Sequence, residues 1–187
     1  MSKKGVLVLY SGCSGVGKGT IMKQLLARDP SIRLSVSNTT RAPREGEIHG
    51  VHYNFVTREE FLALADADGY IEHAVYCDNH YGTPKKQVED MLAQGYNVFL
   101  EIEVQGGLQV MEKYPDILSI FIMPPSLEEL ERRLRGRGTE TEESIQKRMA
   151  QAVEEMKYKD RYRYQIINDT VDRAADEVLS LLHQQTK

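Results

Sequence analysis

Residues 7–20 read LVLYSGCSGVGKGT, an apolar run followed at once by glycines at positions 12, 15, 17 and 19. Gly12, four further residues, and then Gly17 and Lys18 match the spacing of a phosphate-binding loop. Glycines let successive backbone N–H groups turn inward around an anion, and the helix that follows adds the positive end of its dipole. The alternative is a glycine turn with an incidental lysine, which the flanking strand and helix patterns oppose. We therefore predict a strand, a phosphate loop and a helix in that order.

The residue after the lysine departs from the usual loop pattern. A Ser or Thr hydroxyl ordinarily binds Mg²⁺ there, but this chain has Gly19, and the hydroxyl comes one place later in Thr20. We assign Thr20 as the metal contact and expect Lys18 to reach the β and γ phosphates. The predicted ATP-binding residues are Gly12, Cys13, Ser14, Gly15, Val16, Gly17, Lys18, Gly19 and Thr20.

Composition limits the possible functions. The chain has 187 residues, 41% of them hydrophobic and 28% charged, and a formal net charge of −4. A nucleic-acid-binding protein usually carries a basic excess, so we expect no nucleic-acid partner. The apolar runs are too short for a membrane span and the first residues lack the pattern of a signal peptide, so we expect a cytoplasmic protein. Cys13 and Cys77 are too few for a disulfide framework or a zinc site, and reduced thiols are expected.

Strand and helix patterns alternate along most of the chain. Near-continuous apolar runs are typical of buried parallel strands, and they alternate with amphipathic helices. The predicted strands are 5–10, 32–36, 51–56, 96–102, 117–123 and 164–167, and the predicted helices include 18–28, 57–66, 141–157 and 171–184, with another opened by Thr83 and Pro84. This order predicts an α/β fold with one parallel sheet covered by helices on both faces.

Two segments do not fit that core. Residues 37–83 carry short, irregular elements rich in Arg, Tyr, His and Gly, and residues 130–150 are intensely charged. We predict a single domain, residues 1–187, whose core is 1–36, 84–129 and 151–187. The segment 37–83 is predicted to be a substrate-binding insertion, and 130–150 a mobile lid with balanced charge and glycines for bending. Both would lie over the carboxyl edge of the sheet, where open α/β sheets bind ligands.

The insertion carries groups suited to a second nucleotide. Arg41 and Arg44 offer two guanidinium forks to a dianion, with the Tyr53 phenol beyond them. An exposed basic loop is the alternative if these residues are taken alone. Farther along, however, the same segment supplies a carboxylate, Glu72, and hydroxyls on Tyr81 and Thr83. Together these residues indicate a site for a nucleoside monophosphate.

An apolar strand also ends in acids. Glu101 follows Val98 to Leu100, and Glu103 comes two residues later. A carboxylate at that position could hold water or metal beside the phosphates, whereas solubilising acids at a strand end are the competing interpretation.

The chain resembles the guanylate kinases over nearly its whole length. The resemblance lies in SGCSGVGKGT, SVSNTTRAPREGEIHGVHYNF, EHAVYCDNHYGT, FLEIEVQGG and RGRGTETEESIQKR. It implies a phosphate-loop NTPase fold and transfer of the γ-phosphoryl group from ATP to GMP with Mg²⁺. It also implies guanine contacts from Ser37, Glu72 and Thr83, and GMP phosphate contacts from Arg41, Arg44, Tyr53 and Tyr81. Glu101 would lie on the acceptor side or hold metal-bound water, and Arg137 and Arg148 would come from the lid.

The implied catalytic residues are Lys18, Arg41, Arg137 and Arg148. The chain departs from many members of that family at Cys13, where proline is common, at Gly19, and at Glu101 and Glu103, where aspartates are common.

Chemistry independent of the resemblance favours guanine. Its N1–H and N2 amine are adjacent donors that one carboxylate, Glu72, accepts together, whereas adenine presents an unprotonated N1. The acceptor phosphate is already ionised, since its second pKa is about 6, so no histidine base is required. Two alternatives remain, a non-catalytic protein-binding module of the same fold and a kinase for another nucleoside monophosphate. We expect dGMP to be accepted as well, and the protein to be a monomer or homodimer.

Overall fold

The computed structural model describes residues 4–136 and 141–185. Its strands are β1 (Leu7–Gly12), β2 (Ile32–Leu34), β3 (Asn38–Thr39), β4 (Asn54–Phe55), β5 (Tyr70–Tyr76), β6 (Asn79–Pro84), β7 (Asn97–Glu101), β8 (Leu118–Met123) and β9 (Tyr164–Ile167). Its α-helices are α1 (Lys18–Arg28), α2 (Arg58–Asp66), α3 (Lys85–Ala93), α4 (Val104–Lys113), α5 (Leu127–Gly136), α6 (Glu142–Met156) and α7 (Val171–Gln185).

The central sheet is parallel throughout, in the order β2-β7-β1-β8-β9. Its three middle strands are almost wholly buried, as expected for a parallel sheet flanked by helices. The register aligns Tyr10 of β1 with Glu101 of β7, and Gly12 with Ile122 of β8. The phosphate-loop segment therefore leaves the carboxyl edge of the sheet between the ends of β7 and β8, and the predicted α/β class is confirmed.

Helix α1 has the predicted bounds. It begins at Lys18 after Gly17, whose φ of 97° lies in the left-handed region, and it ends before Asp29. Its apolar face buries Ile21, Met22 and Leu25, and the helix packs beside α7. The predicted capping box of the second helix is also present, with Thr57 and Glu60 each bonding the other's backbone N–H.

A second sheet, in the order β4-β3-β6-β5, occupies the segment 37–83. Strands β5 and β6 form an antiparallel hairpin whose turn places Cys77 and Asp78 at positive φ. The sequence analysis described this segment as irregular and missed the hairpin.

Two predicted boundaries in this segment differ in the structure. The strand predicted over 51–56 is reduced to Asn54–Phe55, since Val51 lies in a turn whose amide bonds the Ile48 carbonyl. Thr83 and Pro84 are the last residues of β6, because its pairing with β5 reaches Pro84, which faces Tyr70, and Pro84 is also the N-cap of the predicted helix. Helix α3 begins one residue later at Lys85.

The segment predicted as a lid, 130–150, comprises the end of α5 and the start of α6. Arg135 of α5 pairs with Glu142 of α6 and with Glu131 of its own helix. Residues 137–140, including the predicted catalytic Arg137, lie outside the described residues. Within 4–136 and 141–185, no helix combines the length and apolarity that crossing a membrane requires.

Candidate active site

The phosphate-loop segment has the backbone that its glycines predict. Gly12 and Gly17 adopt φ of 152° and 97°, a region that disfavours other residues. A Cβ on Gly12 would lie 2.4 Å from the Ile122 carbonyl oxygen, and one on Gly17 would lie 2.7 Å from Asn168 Nδ2. The backbone of β8 at Ile122 and the Asn168 side chain thus leave no volume for a side chain at these two glycines. The Lys18 ammonium folds over the loop and donates to the carbonyls of Gly12 at 2.8 Å and Cys13 at 3.1 Å.

Three residues outside the loop hold it in place. Asn168, directly after β9, donates through Nδ2 to the Val16 carbonyl at 2.8 Å. Glu155 of α6 accepts from the Ser14 amide at 2.7 Å, and Arg148 Nε of the same helix donates to Ser14 Oγ at 3.3 Å. Both of these α6 side chains reach the loop at Ser14.

The Glu155 carboxylate lies on a backbone amide of an anion-binding loop. It is buried, and burial raises its pKa, while the hydrogen bonds from Ser14 and Gln151 act in the opposite direction. A carboxylate on this amide makes the kind of contact expected for a phosphate oxygen. Cys13 is fully buried next to it, and burial, followed by the negative charge of Glu155, raises the pKa of the Cys13 thiol to about 12.

A second cationic group forms in the insertion around Arg41. Its guanidinium makes a bidentate pair with Glu47, with Nη2 to Oε1 at 2.9 Å and Nη1 to Oε2 at 3.0 Å. Tyr53 lies under the guanidinium, with the ring centroid 5.5 Å from Cζ, and Tyr81 packs edge-on to Tyr53 at 6.0 Å. Arg44 is exposed, and its amide donates to Glu47 at 2.7 Å. The four predicted phosphate contacts thus belong to one cluster, centred on a carboxylate.

The electrostatics of this cluster suit an anion. The hydrogen bonds from Arg41, and then the Arg44 amide, lower the pKa of Glu47 to about 2. Within the part of the chain that the structure describes, Arg41 Nε is one of two buried side-chain nitrogen or oxygen atoms that lack a hydrogen-bond partner. Arg41 therefore keeps a donor for a further acceptor while Glu47 fixes the orientation of its plane.

The three predicted guanine contacts converge at one end of the small sheet. Thr83 Oγ1 donates to Glu72 Oε1 at 2.7 Å, and both residues are buried. The β3–β6 pairing aligns Asn38 with Gly82, so the next step of the register sets half-buried Ser37 beside Thr83. Burial raises the pKa of Glu72, while the Thr83 hydroxyl and amide and the charge of Lys113 lower it.

Glu101 lies at the end of β7, aligned with Tyr10 of β1 and within electrostatic reach of Lys18 in the loop. It is half-buried, and burial raises its pKa while the charge of Lys18 lowers it. Glu103 is exposed, as is Thr20 in the first turn of α1. No cluster of three or more His, Cys, Asp or Glu side chains suited to a metal exists within 4–136 and 141–185.

Sequence reasoning overlooked three residues of this region. Asn168 had a usable signal, because it is a polar residue directly after a buried strand at the carboxyl edge. Glu47 had a weaker one, since it lies three residues after Arg44 in the same loop. No sequence signal pointed to Glu155, because nothing in the sequence distinguishes it from its neighbour Glu154.

Comparisons with known proteins agree with this geometry. The family profile described as Guanylate kinase matches residues 3–185. Guanylate kinase of Clostridium acetobutylicum is 50% identical over 182 residues, which are 97% of this chain and 87% of that protein. Guanylate kinase of Synechococcus sp. is 52% identical over 96% of this chain and 83% of that protein.

A solved structure extends the likeness to the fold. The crystal structure of guanylate kinase from Anaplasma phagocytophilum superposes with a TM-score of 0.74 at 38% identity, covering 98% of this chain and 87% of that one. The phosphate loop, the small sheet and these matches over nearly the whole length lead to one conclusion: the chain belongs to the guanylate kinase family.

Proposed function

We propose that the protein phosphorylates GMP, and also dGMP, to the diphosphate, with ATP as the donor and Mg²⁺ as the cofactor. The observation that carries this proposal is the buried Glu72–Thr83 pair, bonded at 2.7 Å in a sheet separate from the phosphate loop. A carboxylate buried this deeply needs hydrogen-bond donors to offset its lost hydration. Thr83 supplies its hydroxyl and its amide as donors, and guanine would supply two more.

Base selection follows from that requirement. Guanine presents N1–H and its N2 amine side by side to one carboxylate, whereas adenine would face Glu72 with a lone pair. Sites that hydrogen-bond a substrate group discriminate by about 10⁴-fold against an analogue that lacks it. Ser37 and Thr83 would complete the recognition of the guanine edge.

The acceptor phosphate would bind in the cluster of Arg41, Arg44, Tyr53 and Tyr81. Glu47 holds two Nη atoms of Arg41, and the buried Nε, which lacks a partner among the described residues, remains to donate to the phosphate. Because the second pKa of a phosphate monoester is about 6, the attacking oxygen is already ionised near pH 7.

The donor triphosphate would bind to residues 12–20, with the loop amides and Lys18 around its phosphates. Transfer then depends on alignment and on neutralising charge at the moving phosphoryl group. Lys18 and Arg41 supply positive charge from the two sides, and Arg137 and Arg148 would supply it from the segment 130–150, acting as a lid. Arg148 already contacts the loop through Ser14, which supports that role.

The donor set fits Mg²⁺, which in kinase sites takes one or two protein oxygens together with phosphates and water. Glu101, half-buried beside Lys18, would hold the ion or its water, and the Thr20 hydroxyl would be the second protein oxygen. When bound, the ion neutralises charge on the donor phosphates. We further propose that the chain divides into a core, an insertion at 37–83 and a lid at 130–150. We also propose a cytoplasmic location and a monomeric or homodimeric state.

A coupled assay of ADP release tests the function, with GMP, dGMP, AMP, CMP and UMP as acceptors. We expect turnover with GMP and dGMP, and kcat/KM at least about 10³-fold lower with AMP. A preference for AMP would overturn the guanine assignment. If none of the five acceptors led to ADP release, a non-catalytic protein-binding module of the same fold would be favoured.

A further inference from the structure

Helix α4 runs along strand β5 and joins the two halves of the candidate site. Gln109 Nε2 donates to the His73 carbonyl at 3.2 Å, and Lys113 Nζ donates to the Ile71 carbonyl at 2.9 Å. The helix begins at Val104, three residues after Glu101 at the end of β7. Helix α4 therefore connects the end of the small sheet that carries Glu72 and Thr83 with the end of the central sheet that carries the phosphate loop.

Gly106 lies on the same face of α4, since positions 106, 109 and 113 have the spacing of one helical face. A Cβ at Gly106 would lie 2.7 Å from Glu72 Oε2 and 3.3 Å from the Glu72 carboxyl carbon. The Glu72 carboxylate is therefore packed against the first turn of α4, where the positive end of the helix dipole favours a negative charge. No side chain larger than a hydrogen fits at position 106 unless that carboxylate moves.

The carboxylate has little freedom to move. Glu72 is 6% exposed, and its other oxygen, Oε1, is held by the Thr83 hydroxyl at 2.7 Å. One oxygen is thus hydrogen-bonded to Thr83 of β6, and the other lies against α4 at Gly106. Together they set the plane that the carboxylate presents to a base.

From this packing we infer that Gly106 is a specificity-determining residue, which positions Glu72 for guanine by allowing α4 to touch the carboxylate. The inference rests on the proposed function. Gly106 contacts the carboxylate and not the base, so it is a positioning residue. Alanine at this position would push Glu72 Oε2 away from α4 and rotate the Glu72 carboxylate. Its two oxygens would then be misaligned with the N1–H and the N2 amine of guanine.

The test is Gly106→Ala, assayed with GMP and AMP. Alanine is a better helix former than glycine, so α4 itself is not weakened. We expect KM for GMP to rise about tenfold or more while kcat at saturating GMP changes less than about threefold, because the lost interaction is to the base and not to the reacting phosphate. The ratio of kcat/KM for GMP to that for AMP should fall by the same factor.

Gly107→Ala is the matched control. A Cβ there would meet Tyr162 Oη at 2.4 Å, so the substitution disturbs the same turn of α4 without reaching Glu72. It should lower the thermal unfolding midpoint and leave the GMP to AMP ratio within about threefold. An equal loss of GMP affinity in both variants would overturn the inference, because a general disturbance of α4 would then explain it.

The double variant Gly106→Ala with Glu72→Ala keeps the test decisive if the single variant does not fold. Removing the carboxylate clears the volume that the new Cβ needs, so the double variant should fold, and the glycine substitution should cause no further loss of GMP affinity in that background. Additive losses, or a double variant that also fails to fold, would refute the steric coupling. A wild-type protein without GMP kinase activity would instead refute the proposed function.

Discussion

The burial of Glu72 makes its charged form costly in the unliganded protein. Burial raises its pKa above the ordinary value of 4.5, and the Thr83 hydroxyl, the Thr83 amide and Lys113 only partly oppose the shift. A carboxyl whose folded pKa is raised contributes stability that is fully present below the unfolded pKa and is lost as pH rises through the folded pKa. The charged form, on which the proposed guanine contact depends, is therefore the form that destabilises the unliganded protein.

The substitution Glu72→Gln separates these two effects. Glutamine still accepts the Thr83 hydrogen bond and carries no charge, so the variant should have a higher thermal unfolding midpoint than wild type near pH 7. The difference should shrink toward pH 4, where the wild-type side chain is protonated too. Differential scanning calorimetry from pH 4 to pH 8 measures this difference in unfolding midpoint. If the midpoints of the two proteins ran parallel across this pH range, the destabilising role of the Glu72 charge would be contradicted. The same variant should lose its preference for GMP over AMP.

The two cysteines should differ sharply in reactivity. Cys13 is fully buried with its thiol pKa raised to about 12, whereas Cys77 is exposed at the tip of the β5–β6 hairpin. The thiolate is the reactive form of cysteine. We therefore expect a thiol-specific reagent, applied at neutral pH, to label Cys77 and not the buried Cys13 in the folded protein. Mass spectrometry of the labelled peptides checks this, with Cys77→Ser as the control. Rapid labelling of Cys13 would show that the loop opens.

Helix α6, which begins within the segment 130–150, is hydrogen-bonded to the phosphate loop. Glu155 accepts from the Ser14 amide and Arg148 donates to the Ser14 hydroxyl, so both charged contacts reach the loop at one residue. A phosphate oxygen of the donor would compete with Glu155 for that amide. Donor binding should therefore rearrange the contact between α6 and the loop, bringing Arg148 toward the triphosphate.

Arg148→Ala should consequently lower kcat about 100-fold while leaving KM for GMP within about threefold, since the charge acts on the transferring group and not on the base. Steady-state kinetics at saturating ATP measure both constants. Lys147→Ala is the matched control, because Lys147 is exposed and pairs with Glu143 at the surface. Equal losses in kcat and in GMP affinity for Arg148→Ala would contradict a role in the transfer step.

The elements that could be predicted are those with a strong local signal. Helix α1 and strand β9 have the predicted bounds, because an apolar period and a clear start or stop residue coincide there. The β5–β6 hairpin was missed, since Val75 and Tyr76 are exposed and the expected alternation of buried and exposed residues fails. Its turn uses Cys77 and Asp78 at positive φ, without the glycine that usually marks such a turn.

At the scale of the molecule, the chain builds two sheets with separate tasks. The parallel sheet presents the phosphate loop and Glu101 at its carboxyl edge, and the small sheet presents Glu72, Thr83 and the Arg41 cluster. Residue types and spacing were enough to single out the residues that the structure brings together in each group, while their roles remain predictions. The carboxylates that hold them, Glu47 and Glu155, depend on contacts across 6 and 141 residues, and the second of these has no local signature.

The proposed reaction requires two nucleotides to bind at once with their phosphates directed at each other. A crystal structure of the protein with GMP and a non-hydrolysable ATP analogue tests this requirement. We expect the GMP base on Glu72 and Thr83, its phosphate on Arg41 and Tyr81, and the triphosphate in the loop around Lys18. A complex with one nucleotide bound and the Glu72 pocket empty at saturating GMP would contradict it.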